Sequence, residues 1–144
     1  MTMLGFLALL GALAVAPPCE TGVCRCTPPP DVQSARDASA AVFTGTVLSV
    51  RDTMIGRGAE HPFRMRAVTL QVDRAWKGVD SRTFVVLTGT GSGDCGFPFR
   101  PGESYLVYAG GDWPIAYVCG RTAPLARADA DIHALGPAPA VWQR

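Results

Sequence analysis

Along residues 41–52, AVFTGTVLSVRD, apolar and polar positions alternate with the period of a half-buried strand, so that Phe43, Gly45 and Val47 share one face. Leu48 and Val50 then take up the opposite phase, the switch that one extra residue in a β-bulge produces. Residues 53–62 read as a loop, and alternation resumes at Phe63. There Phe63, Met65 and Ala67 give way to Val68, Leu70 and Val72, while Arg64, Arg66, Thr69, Gln71 and Asp73 fill the other positions. This second switch, at Ala67-Val68, predicts a second bulge, and two long bulged strands predict a sheet coiled into a small barrel.

Trp76-Lys77-Gly78 ends the second strand. Further strands are expected at Thr83–Thr88, at Ser104–Ala109 behind a Pro101-Gly102 turn, and at residues 113–119. Asp31 is the expected N-cap of a short helix over 31–40, with Val32, Ala35 and Ala38 on one side. Thr122 is expected to cap a second helix at 123–135, whose stripe is Leu125, Ala128, Ile132 and Leu135. Residues 89–96 hold four glycines and form a flexible loop unless Cys95 pins it; the tail from Gly136, with two prolines, is expected to fray. Five strands followed by a helix fit a mainly β, five-stranded Greek-key barrel of the OB type with short flanking helices. Its expected core is Phe43, Val47, Val68, Leu70, Val72, Val85, Leu106, Ile132 and Leu135.

Composition narrows the class. The chain has 144 residues, enough for one domain. A formal net charge of +1 argues against holding nucleic acid by bulk electrostatics, which calls for a strongly basic face. Sixteen glycines and twelve prolines argue against a helical bundle.

Residues 1–18, MTMLGFLALLGALAVAPP, carry no charged side chain, and the apolar or glycine run from Leu4 to Ala16 is thirteen residues long. A membrane-spanning helix needs about 20, so the run reads as the core of a secretory signal. Residues 1–22 are therefore expected to be an export segment, with cleavage after Ala14 or Ala16 as local options, 23–136 the folded domain, and 137–144 a flexible tail. Membrane contact is expected only through an uncleaved signal, since Pro18, not a small residue, precedes Cys19. The product is expected to be secreted or periplasmic.

Export puts Cys19, Cys24, Cys26, Cys95 and Cys119 in an oxidising compartment. A Cys24–Cys26 bond would be strained, so each is expected to pair with Cys95 or Cys119. Either choice closes a long loop and stabilises the fold by about 4 kcal/mol per bond in the chain-entropy account. A zinc site from the same four residues is the weaker reading, because structural zinc sites usually draw on two C-x₂₋₄-C knuckles. His61 and His133 have no partner at helical spacing and read as surface residues.

Four segments resemble a known family: Cys24-Arg25-Cys26 followed by prolines and a short helix; Trp76-Lys77-Gly78; Cys95-Gly96-Phe97 followed by ESYLVYAG at 103–110; and Cys119 with Pro124-Leu125 beyond it. In order and spacing they are similar to the netrin-like domain, and within it to the N-terminal domain of the tissue inhibitors of metalloproteinases, over about residues 24–135. The resemblance implies a five-stranded OB barrel and the pairings Cys24–Cys95 and Cys26–Cys119. In those inhibitors the first cysteine of C-x-C is the mature N-terminus. Its amino group and carbonyl chelate the protease zinc, and the next side chain enters the S1′ pocket. Carried over, the protease contacts would be Cys24, Arg25, Cys26, Gly96 and Phe97, with no metal or cofactor held by the domain itself.

This sequence departs from the inhibitors in several places. Arg25 stands where they carry a small hydroxyl residue, and a guanidinium is costly in an apolar pocket. Thr21 and Val23 make a poor peptidase site for freeing Cys24. The partners of a third disulfide are missing, and no counterpart of the inhibitors' second domain is expected. The expectation is thus a non-catalytic extracytoplasmic binding module, with inhibition of a zinc metalloprotease through Cys24 as the alternative. The partner is then such a protease or another extracytoplasmic protein, and not nucleic acid. No C-x-x-C, no Ser/His/Asp order and no close carboxylate pair recommends an enzyme.

Overall fold

The computed structural model describes residues 24–142, apart from Pro28, Arg57, Ala59 and Ser92. The expected export segment and Cys19 lie outside the described residues, as do the last two residues of the tail.

The fold is mainly β, one antiparallel sheet with short helices. β1 (Ala41–Ile55) and β2 (Phe63–Lys77) form a long hairpin, and β3 (Thr83–Thr88), β4 (Ser104–Ala109), β5 (Ala123–Pro124) and β6 (Ala140–Val141) complete the sheet. The order is β3-β2-β1-β4-β5, with β6 pairing β2 beyond the end of β3. The sheet does not close on itself. α1 (Val32–Ala38) starts where Asp31 accepts the Gln33 and Ser34 amides, both at 3.0 Å, as the N-cap reading requires. A 3₁₀ turn (Leu125–Arg127) precedes α2 (Asp129–Leu135).

Bulges shape the hairpin. Val47 pairs with Leu70 and Ser49 with Thr69, so Leu48 is the extra residue, 53% exposed, and the expected bulge in β1 is there. No bulge occurs at Ala67-Val68. The pairing runs unbroken from Ser49–Thr69 to Ile55–Phe63, and the extra residues of β2 are Asp73 and Trp76. The switch in apolar phase at 67–68 is therefore a real change of face. Val68, Leu70 and Val72 point into the core, and Phe63, Met65 and Ala67 line the opposite side of the strand. Likewise 53–55, expected in a loop, belong to β1.

Two apolar clusters flank the sheet. Phe43, Val47, Val68, Leu70, Val72, Val86 and Tyr105 lie in the larger one, and Val42, Trp76, Leu106, Tyr108, Ala128 and Leu135 in the one beneath the helices, where Ile132 is half-buried. Val85, expected in the core, is instead 47% exposed. The reason is register: Val86 stands opposite Val68 and Phe84 opposite Leu70, and directly opposed residues share a face.

Trp76-Lys77-Gly78 locks both helices to the sheet. Trp76 Nε1 donates to the Gly136 carbonyl at 2.8 Å, after the end of α2. Lys77 Nζ donates to the Arg36 and Asp37 carbonyls at 3.1 and 2.7 Å, the cation-favouring end of α1. Gly78 has φ 67° and lies so close to the Ala40 carbonyl that a Cβ would clash.

Three more expectations are corrected. Residues 113–119 form no strand; Ile115 makes single bridges to Leu87 and Gly110, and Tyr117 one to Gly96. Pro114 has no N–H for a ladder, and Gly111 turns the chain at φ 86°. The second helix starts at Asp129, since Pro124 is held in β5, and Thr122 is no cap. Its hydroxyl bonds the Tyr108 backbone, receiving from N at 2.9 Å and donating to O at 3.1 Å. Finally, the tail is ordered through Trp142: β6 pairs with Arg74 and Ala75, and the Trp142 amide donates to Asp73 O at 2.8 Å. The half-buried Trp142 packs on the larger core, which accounts for it.

Candidate functional site: the C-x-C ridge and its apolar flank

Two disulfides build the ridge, Cys24–Cys95 and Cys26–Cys119, with Cα separations of 5.6 and 5.0 Å. These are the pairings the resemblance implies, and they consume all four thiols of the alternative zinc reading. Disulfides across 71 and 93 residues belong to an oxidising compartment, consistent with an extracytoplasmic protein.

The bonds anchor the C-x-C segment to two loops that are themselves tied together. The Val118 amide donates to Cys95 O at 3.0 Å beside the Gly96–Tyr117 bridge. The loop at 89–96, glycine-rich as noted above, wraps around one carboxylate. Asp94 accepts the amides of Thr90 at 2.6 Å, Gly91 at 2.9 Å and Gly96 at 3.1 Å. Slight desolvation by the surrounding loop pushes this exposed acid up, but the Gly91, Thr90 and Gly96 bonds outweigh it and hold it below the usual carboxylate range. Cys95 sits at φ 56°, and Gly96 passes so close to the Gly89 carbonyl that no side chain fits there. Under the loop, buried Thr88 accepts the Phe97 amide at 2.7 Å and donates to Ala116 O at 2.8 Å.

Beyond the ridge, Arg121 grips Asp131 of α2 through two nitrogens, Nε at 2.8 Å and Nη2, and donates from Nη1 to Pro30 O at 2.9 Å. The Tyr108 hydroxyl donates to the same carboxylate at 3.2 Å; burial, then the charge of Asp131, push its ionisation up, so it stays a donor. The chain after Cys26 is thereby clamped to α2.

Of the expected contact residues, Arg25 and Cys26 are exposed, and Cys24 and Gly96 are half-buried beside them. Phe97 is half-buried as well, and its ring packs on Phe99 and Tyr105 at centroid distances of 4.7 and 5.6 Å. His61 and His133 are exposed. Among the described residues, no group of three or more His, Cys, Asp or Glu side chains is placed to hold a metal ion, and no helix is long and apolar enough to cross a membrane.

Sequence reasoning missed the flank. An apolar groove of about 360 Å³ runs from the tip of the β1–β2 hairpin to Gly89 and Asp94 of the 89–96 loop, between Ile55, Phe63 and Met65 on one wall and Trp113 and Tyr117 on the other, over Leu87. Phe63 is 67% and Trp113 59% exposed at its rim. The signal was the unbulged change of phase at Ala67-Val68, which obliges Phe63 and Met65 to leave the core side.

The chain matches no protein-family model and no curated protein sequence.

Proposed function

We propose that this is an exported, non-catalytic binding module with a netrin-like OB barrel, released from a signal segment at 1–22, that engages an extracytoplasmic protein through the Cys24-Arg25-Cys26 ridge. The observation that carries the reading is the pair of crossed disulfides, which joins this segment to both the 89–96 and 113–119 loops. A ridge so tied loses little conformational entropy on binding, which favours recognition by a rigid surface. The bridges of Ile115 to Leu87 and to Gly110 support the barrel, because that segment spans the gap between the ends of β3 and β4. The partner contacts are then Arg25, Cys26, Gly96 and exposed parts of Cys24, with Phe97 bracing the loop from beneath.

Inhibition of a zinc metalloprotease is the second reading, favoured by the position of Cys24 beside Gly96. It needs a free amine at Cys24: an amide nitrogen has no lone pair for zinc, and residues before Cys24 would clash with the protease.

Mass analysis of the exported protein and a metalloprotease assay separate the two. We expect an N-terminus upstream of Cys24 and no inhibition by that form. Inhibition only after trimming to Cys24, lost on acetylating the new amine, establishes the second reading. For the binding module, Arg25→Glu should abolish retention of the extracytoplasmic partner while Arg82→Glu, exposed in the turn before β3, leaves it intact. Equal retention by both variants refutes the ridge as the contact.

A further inference from the structure

β1 is longer than anything that pairs with its outer edge. β4 accompanies it only from Ala41 to Thr46, and the Val47 amide and carbonyl are then met by Glu103 O at 2.9 Å and Gly102 N at 2.8 Å. There the chain turns away. From Leu48 to Ile55, β1 continues with β2 on one side and, among the described residues, no strand on the other. The result is a slot eight residues long, in line with β4 and stopped at one end by the 102–103 turn. Its wall is a row of solvent-facing backbone N–H and C=O groups, and another extended polypeptide can replace the water on all of them in register.

Charge selects among extended polypeptides. The strand residues of the arm, 48–55 and 63–67, carry Arg51, Arg64 and Arg66 against Asp52 alone, in a chain whose net charge is only +1. Asp52 faces Arg66 at 3.8 Å, whereas Arg51 is exposed and holds no ion pair among the described residues. Arg51, Thr53 and Ile55 share a face with their partners Ala67, Met65 and Phe63, so Arg51 is continuous with the apolar groove.

A second copy of this chain is a poor occupant. Symmetric antiparallel pairing of identical edges sets one residue opposite its own copy. The registers that use most of the edge put Arg51 opposite Arg51 or Asp52 opposite Asp52. Together with the bulge at Leu48, these charges are the devices that keep natural edges from pairing with themselves. They leave the slot open to a different sequence.

We propose that the Leu48–Ile55 edge of β1 is a strand-addition site for an extended, acidic segment of a partner protein, with an acidic side chain opposite Arg51 and apolar ones beside Thr53 and Ile55. This rests on the binding-module reading but uses a different surface, so failure here and failure at the Cys24 ridge are separately visible.

The probes are three synthetic decapeptides: valine and threonine alternating about one central glutamate, the same peptide with lysine for glutamate, and the glutamate peptide N-methylated at alternate amides. Binding is read by titration, and location by amide hydrogen exchange in the disulfide-intact protein. The glutamate peptide should bind saturably and slow exchange within 48–55. The N-methylated peptide should not bind. The lysine peptide should bind about fivefold more weakly, the scale of one cross-strand charge pair. Arg51→Glu, at an exposed position, should invert that preference. Slowed exchange elsewhere, binding indifferent to N-methylation, or no binding of any peptide below millimolar concentration overturns the proposal. So does protection of 48–55 that grows with protein concentration alone, which would give the edge to a second copy.

Discussion

Replacing Cys26 and Cys119 together by serine tests how far the ridge also holds the fold. The two disulfides cross in sequence, so with Cys24–Cys95 intact the chain path that Cys26–Cys119 closes is short. It runs through the two steps from Cys24 to Cys26 and the stretch from Cys95 to Cys119, about 27 residues in all, for which the chain-entropy account gives about 3.5 kcal/mol. By symmetry of that path, Cys24→Ser with Cys95→Ser costs about the same. Once one bond is gone the other closes the full loop between its own cysteines, 71 or 93 residues, and is worth about 4.5 kcal/mol. Removing all four cysteines should therefore cost about 8 kcal/mol, comparable with the entire stability of a small domain, and leave little folded protein at room temperature. Urea unfolding of the native protein and the two paired variants, followed by tryptophan fluorescence, measures the first two losses. Paired losses below about 1 kcal/mol, or a quadruple variant that folds as well as either pair, would refute the view that these bonds constrain the chain as a whole.

Leu70→Ala should cost about 2–5 kcal/mol, since Leu70 is wholly buried in the larger cluster, whereas Val85→Ala should fall within about 0.5 kcal/mol; chemical unfolding compares the two, and equal losses would mean the faces of β2 and β3 are misassigned. Thr44 Oγ1 is buried with no hydrogen-bond partner among the described residues, so Thr44→Val, nearly the same shape, should be neutral or stabilise by about 1 kcal/mol in a thermal melt; a clear loss would reveal a partner for the hydroxyl. The folded protein holds Asp94 below the ordinary carboxylate value, so its contribution is complete above the unfolded value of about 4 and is lost as pH falls through the folded value. Protection of the Thr90 and Gly91 amides, measured against their intrinsic exchange rates at each pH, should accordingly fall in acid, and Asp94→Asn should remove that dependence; an unchanged acid response in the variant would place its origin elsewhere.

How much was legible in the sequence depended on whether a pattern had one physical cause. Asp31 capped α1 as read, because a cap is a local matter of one side chain and two amides. The bulge at Leu48 was legible for the same reason. The switch at Ala67-Val68 looked identical in sequence yet had another cause: β2 outruns the core, and its apolar residues change sides. Alternation reports a change of face; only the partner strand tells whether a bulge made it. Val85 failed similarly, since all six residues of Thr83–Thr88 are apolar or β-branched and the pairing with β2 decides which residues turn inward. Residues 113–119 were too apolar for a loop by pattern, but Pro114 and the tie at Cys119 prevail over propensity. The disulfide partners were narrowed to two choices by strain alone; the resemblance implied the pairing that the structure contains.

The segment 113–119 connects the ridge to the arm, and its rigidity bears on how the two surfaces could work together. At one end Ile115 is bridged to Leu87 and Gly110, with the Ala116 amide donating to Leu87 O at 2.9 Å. At the other, Tyr117 is bridged to Gly96 and Cys119 is bonded to Cys26. A segment fixed on both sides cannot swing as a lid. Tyr117 therefore presents one edge to the groove and its backbone to the ridge without exchanging between them. A partner spanning both surfaces would meet groups already in place, and the two contacts would add through effective concentration rather than through a conformational change. The hairpin tip is different: past Val50 its strands lie outside both buried clusters, and beyond the pairing of Arg66 and Ala67 with β3 its support among the described residues is β1–β2 pairing, the Asp52–Arg66 pair and the wall of the groove. Ordering on binding should be confined to that arm, and amide exchange in a bound complex should slow most at 51–55 and least at 113–119, where the free protein is already closed.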